Sequence, residues 1–216
     1  PTDYGNDYEY LDIYSRRSDN SLFAIDSLPE MDVSTTEQLL MAVQYGRKPN
    51  FVGDSETAQL VYENAKNVLR TIINNNMSDL EKVTEIFDWL EYAYNLNYYS
   101  NRVLSDNVLV EGTLAEYGNR KEYYLEGIFL DIHNTEIGGY DGEFYLVSKN
   151  ATSESFAKAF TLLCGIEGIE TRKVNGTFTY MLEGQYVTTP HAWNKVYIDT
   201  SSDGDNPTWY SLDITY

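Results

Sequence analysis

The spacing of apolar residues changes along the chain, from a helical period in the front half to alternation in the back. Over 55–75, Ala58, Val61, Tyr62, Ala65, Val68, Leu69 and Ile72 recur at about 3.6 residues. That spacing predicts an amphipathic helix, capped by Asp54 or Ser55 and ended by Asn74-Asn75-Asn76. Ser78 and Glu81 stand at the capping-box separation and open a second helix, with Leu80, Val83, Ile86, Phe87, Leu90 and Tyr94 as its stripe. A shorter helix is predicted from Ser34 with Glu37, through Leu39, Leu40, Ala42 and Val43 to Tyr45, where Gly46 ends it. A fourth helix runs from Ser153 to Cys164, with Phe156, Ala157, Phe160, Leu163 and Cys164 on one face and Gly165 and Gly168 closing it. These stripes read as core packing.

Between the helices the pattern is weaker. Residues 1–33 read as an irregular arm or hairpin around Leu22-Phe23-Ala24-Ile25, and Pro49 with Gly53 as a loop. Residues 102–112 fit a strand or a short helix, and Gly138, Gly139 and Gly142 a flexible turn. Beyond the fourth helix the sequence alternates, which predicts strands at 169–174, 177–182, 191–199 and 209–215. There is no internal repeat. The expected organisation is an arm and short helix over 1–54 and a main domain over 55–216, forming one compact unit. The fold class is α+β, with helices packed on an antiparallel sheet.

Charge removes several classes of function. The chain has 15 Lys+Arg against 34 Asp+Glu, a net charge of −19. No nucleic acid is expected as partner, since phosphate binding needs clustered cations, and anionic lipid is disfavoured equally. One cysteine allows neither an intrachain disulfide nor a multi-cysteine metal site. No apolar run is long enough for a membrane span. The chain begins at Pro1, so a trimmed signal peptide is expected. Its 20 tyrosines, abundant Asn, Asp and Ser and few lysines suit the surface or exterior of a bacterium. Asn150-Ala151-Thr152 and Asn175-Gly176-Thr177 are sequons, which occur often by chance.

The candidate chemistry lies in the last third. Ser153-Glu154-Ser155-Phe156-Ala157-Lys158-Ala159-Phe160 opens a helix, His191-Ala192-Trp193-Asn194 lies on a strand, and Trp209-Tyr210-Ser211-Leu212-Asp213-Ile214-Thr215 on another. This order resembles the bacterial transglutaminase-like family, of the papain-like cysteine protease fold, over roughly residues 55–216. There a Cys-Glu-Gly-Tyr-Ala-Lys-Ala-Phe stretch opens the nucleophile helix. A His-Ala-Trp-Asn strand and a Trp-Tyr-x-x-Asp-x-Thr strand supply the other members of a triad. The resemblance implies triad positions Ser153, His191 and Asp213, with Ser in place of Cys, and a cleft lined by Trp193, Glu154 and Ser155. No cofactor and no metal is expected.

The spacing is compatible with that site. If His191 faces Asp213 across an antiparallel pair, Asp199 faces Asp205 and Thr200–Gly204 form a five-residue turn. Alternation then puts His191, Trp193 and Lys195 on one face and Ala192, Asn194, Val196 and Ile198 on the other. The nucleophile position departs from the family pattern. Cys164 is eleven residues beyond Ser153, about 16 Å along a helix, and lies on the apolar stripe as a core thiol.

An alcohol is a far weaker acid than a thiol and needs a well-aimed base during attack. The expectation is therefore a catalytically impaired domain, acting as a binding or scaffold module on a protein, peptide or cell-wall component. The alternative is an acyl-transfer or hydrolytic enzyme working through Ser153, or a native cysteine replaced by engineering at 153. His133 reads as a surface or structural histidine. The acidic stretch 199–205 reads as a turn, because Tyr210 stands where a calcium loop needs its bidentate carboxylate.

Overall fold

The structure is a computed structural model and describes residues 22–91, 125–130, 137–138, 144–145, 152–182, 184–200 and 206–215. The element order starts with a 3-10 turn at Ala24–Ser27, then β1 (Glu30–Val33), α1 (Thr36–Gln44), β2 (Lys48–Phe51) and α2 (Glu56–Ile72). A helix over 79–91, α3, follows. Then come α4 (Leu125–Phe129), β3 (Ile137–Gly138), β4 (Phe144–Tyr145), α5 (Ser153–Ile166), β5 (Thr171–Leu182), β6 (Gln185–Ile198) and β7 (Thr208–Leu212). The α+β class expected from the sequence is the one the structure has, with an antiparallel sheet in order β5-β6-β7.

Local chemistry explains the helix starts. Ser78 and Glu81 form the reciprocal box: the Ser78 N–H and hydroxyl both donate to Glu81 Oε2 at 2.8 Å, and the Glu81 N–H donates to Ser78 Oγ at 3.3 Å. The α1 cap is one residue later than expected. Thr35 Oγ1 accepts from the Gln38 N–H, and Ser34 is instead tied to the Gln38 side chain. On α2 the expected stripe is buried except for half-buried Val68, and the helix ends at Ile72 rather than 75. Leu80 of α3 is exposed, whereas Val83, Ile86 and Leu90 are buried; Tyr94 lies outside the described residues.

The reading of Pro49 as a loop, and of 22–33 as part of an irregular arm, is corrected; residues 1–21 lie outside the described residues. β1 and β2 pair in parallel around α1, with Met31 opposite Pro49. Two four-residue strands are too short to show alternation, and a proline is tolerated at the edge of such a pair. The segment also joins the main core. Ile25, Val33 and Leu39 belong to the same buried cluster as α2, α5, Val196 and Ile198. The 102–112 segment and His133 lie outside the described residues.

α5 is the centre of the molecule. Residues on nearly every side of it are buried, from Ser155 and Phe156 to Leu163, Cys164 and Ile166. Gly165 lets α1 approach closely: a Cβ there would sit 2.3 Å from Val43 Cγ1. At its C-terminal end Glu167, almost wholly buried, pairs with Lys82 of α3 at 2.9 Å. No helix among the described residues is long and apolar enough to cross a membrane.

The sheet differs from expectation in its strand limits and in its register: β6 already begins at Gln185 and β7 ends at Leu212. Residues 169–174 and 177–182, read as separate strands, are not divided: one twelve-residue strand, β5, runs from Thr171 to Leu182, and residues 169–170 precede it. Asn175-Gly176 looks like a turn, yet Gly176 pairs with His191 in mid-ladder. The Trp193 ring occupies the space a side chain would need: a Cβ on Gly176 would lie 2.6 Å from Trp193 Cη2. The true turn is at Gly184, with φ +82°, after which Gln185 pairs with Leu182. The β6–β7 register is also corrected. Asn194 pairs with Leu212 and Ile198 with Thr208, so His191 is not directly opposite Asp213 and residues 199–207 join the strands. A slip of two residues leaves every side chain on its expected face. Ala192, Asn194, Val196 and Ile198 are buried, whereas His191 and Trp193 are half-buried and Lys195 is exposed.

Candidate functional site

Ser153 is the first residue of α5, with Thr152 at the N-cap. Backbone N–H groups of a first helical turn have no partner within the helix, and the dipole there favours negative charge. The Ser153 hydroxyl lies against β6, where its oxygen accepts from the Ala192 N–H at 3.3 Å. That donor is available because the β6–β7 ladder extends only as far as Asn194↔Leu212. The residue before Ala192 is His191. α5 and β6 thus bring Ser153 and His191 into one neighbourhood.

Asp213 lies one residue past the end of β7. Its Oδ2 is 2.6 Å from His191 Nε2. Its Oδ1 accepts from both the N–H and the hydroxyl of Thr215, at 3.1 and 3.0 Å. The His–Asp contact is therefore made although the register differs from the expected one. Once Nε2 is engaged, Nδ1 is the ring nitrogen left for proton exchange with another group. Ring packing fixes the imidazole: Phe178 lies 5.6 Å away, tilted, and Trp193 stacks at 6.2 Å.

The helix and strand are locked together one turn further in. Asn194, buried on the β6 face toward α5, donates to the Ala157 carbonyl at 2.9 Å and to Thr161 Oγ1 at 3.0 Å. The Thr161 hydroxyl in turn donates to the same carbonyl. A satisfied buried network of this kind fixes position more sharply than apolar contact does.

The residues expected to line a cleft are placed differently from one another. Trp193 stands beside His191 and covers Gly176. The Glu154 carboxylate is tied to Lys173 at 2.5 Å and to Lys158 at 3.4 Å, and Lys173 also donates to Asn175 Oδ1. Its charge is thus answered within the fold. Ser155 is corrected: it is fully buried, accepting from the Thr152 N–H and donating to the Thr152 carbonyl, both at 2.9 Å. It helps to start the helix and lines no surface.

Cys164 is fully buried. Desolvation, reinforced by Glu167 and Asp79, pushes its thiol well above the usual range. It is a core group and not an alternative nucleophile. Among the described residues no three of His, Cys, Asp and Glu converge as metal ligands would. The acidic stretch 201–205 lies outside the described residues.

Sequence reasoning overlooked Ala192 as a backbone donor, Asn194 as a lock and Thr215 as a partner of Asp213. Two of these had a signal. Asn194 is a polar residue in phase with Ala192, Val196 and Ile198, so it had to be buried and bonded. Asp213-x-Thr215 has the spacing of a local side-chain turn.

Residues 119–214 match the family model described as the transglutaminase-like superfamily. The match contains Ser153, His191 and Asp213. It is narrower than the 55–216 of the sequence resemblance and leaves α1, α2 and α3 outside. No curated protein matches the chain significantly.

Proposed function

We propose that the transglutaminase-like domain at 119–214 is catalytically impaired and serves as a binding or scaffold module of a bacterial surface or secreted protein. Its partner would be a protein, a peptide or a cell-wall component. One observation supports this most directly: the side chain at the start of α5, beside Ala192 and one residue from His191 along β6, is a hydroxyl and not a thiol. A thiol has a reference pKa of about 8.5, so a neighbouring imidazolium can hold it as thiolate. An alcohol has no comparable anion and depends on a base aimed during attack. The chain's one cysteine is sealed in the core and cannot substitute.

The test is amine incorporation into a glutamine peptide and hydrolysis of peptide esters. It compares the wild type with Ser153→Cys, Ser153→Ala and His191→Ala. The wild type should show no appreciable turnover. Turnover that disappears in both Ser153→Ala and His191→Ala would overturn the proposal in favour of a serine enzyme. The intact His191–Asp213 contact favours that second reading. Turnover appearing only in Ser153→Cys would show an otherwise complete site disarmed at one atom.

A further inference from the structure

We infer that Thr215 is a positioning residue for His191, acting through Asp213. The inference rests on the reading of 191 and 213 as site positions and goes on to name what aims the carboxylate. β7 ends at Leu212, so no ladder bond holds the backbone of Asp213 against β6. An aspartate in such a place can swing about two side-chain torsions. Here it is fixed by a division of labour between its oxygens. Oδ1 takes both donors of Thr215, the N–H at 3.1 Å and the hydroxyl at 3.0 Å. Oδ2 is then the oxygen presented to His191 Nε2, at 2.6 Å.

Both Thr215 bonds close a turn within three residues, so they cost little chain entropy to form. Ile214 between them is buried, which pins the turn to the core. The carboxylate in turn selects the ring tautomer. With Oδ2 as a fixed acceptor, Nε2 carries the proton and Nδ1 remains the basic nitrogen. Freeing Oδ1 would let the carboxylate rotate and would weaken that selection. Asp213 and His191 carry the contact, and Thr215 touches neither His191 nor Ser153 in the hydrogen-bond pattern.

The experiment reads the His191 ring proton in the intact chain, labelled with ¹⁵N-histidine. The resonance is assigned by its loss in His191→Gln. The wild type should show a low-field Nε2 proton protected from exchange with water. Thr215→Val keeps the shape and the N–H but removes the hydroxyl, and should exchange that proton about tenfold faster, as expected for losing one bond to a charged group. Thr215→Ser restores the hydroxyl and should restore the wild-type rate. Thr215→Ala gives a second loss variant, and each variant is read at a temperature where its circular dichroism matches the wild type. An unchanged exchange rate in Thr215→Val and Thr215→Ala overturns the inference. So does the absence of the proton in the wild type, or failure of Thr215→Ser to rescue. In the Ser153→Cys background the same hydroxyl loss should lower kcat about tenfold and leave KM unchanged. If Ser153→Cys alone has no turnover, the disarmed-site reading fails, while the ring-proton comparison still decides the role of Thr215.

Discussion

Asn194 on β6 donates its side-chain amide to the carbonyl of Ala157 on α5, 2.9 Å away and 37 residues back in sequence. This bond sets how far α5 slides along the strand, and so where Ser153 falls relative to His191. Asn194→Leu removes both amide donors from a buried site and should cost about 1–3 kcal/mol by chemical denaturation. Thr161→Val added to it should cost less than the sum of the two single changes, because the residues share one network. Additive losses would show that the two side chains act independently.

Gly165 is the contact point between α5 and α1. Gly165→Ala gains helix propensity but forces a methyl group to within 2.3 Å of Val43 Cγ1. Overpacking should win, lowering stability by about 1–3 kcal/mol. Adding Val43→Ala should recover much of that loss. A thermal melt in which Gly165→Ala is as stable as the wild type would show that α1 moves away without cost.

Lys82 and Glu167 join α3 to the end of α5, with side-chain exposures of 16% and 2%. Lys82→Met leaves the buried carboxylate short of its cation and should cost about 3 kcal/mol, the low end for a broken buried pair and more than a surface ion pair is worth. The double variant Lys82→Met, Glu167→Met should return most of that stability, since two apolar chains need no desolvation of charge. A loss below about 0.5 kcal/mol for Lys82→Met would place the pair among ordinary surface contacts.

Glu81 predicts a pH dependence. The Ser78 backbone N–H, and after it the Ser78 hydroxyl, hold its carboxyl below the usual glutamate range. A lowered folded value means the contribution is present above the unfolded value and is lost as pH falls through the folded one. The stability gap between wild type and Glu81→Gln should be largest near neutral pH and close as pH drops below about 4.3. A gap that stays constant down to acid denaturation would assign the effect to shape and not to charge.

What could be read in the sequence follows from how local each signal is. The Ser78–Glu81 box and the α2 stripe need only neighbouring residues, and both were legible. The two faces of β6 were legible for the same reason, since alternation is local. Gly176 was misread because the space beside it is filled by Trp193, a residue on another strand. The β6–β7 register was off by two because it depends on the nine residues 199–207, whose length admits several pairings of equal alternation. The His191–Asp213 contact tolerated that error because Asp213 stands beyond the ladder and reaches its partner by its own turn. Ser155 took its expected role from a family pattern in which glycine holds that place, whereas a hydroxyl there finds the helix cap first.

The nearly all-round burial of α5 has a consequence for how the chain unfolds. The front helices place their stripes on one side of it and the sheet places Val196 and Ile198 on the other, within one apolar cluster. Neither half retains a closed core if α5 leaves. Melting should therefore be a single cooperative transition for the helical and sheet halves alike. Backbone amides of Phe160 to Cys164 should exchange last, at the free energy of global opening, whereas those near the exposed Tyr186 of the β5–β6 hairpin should exchange through local opening well before it.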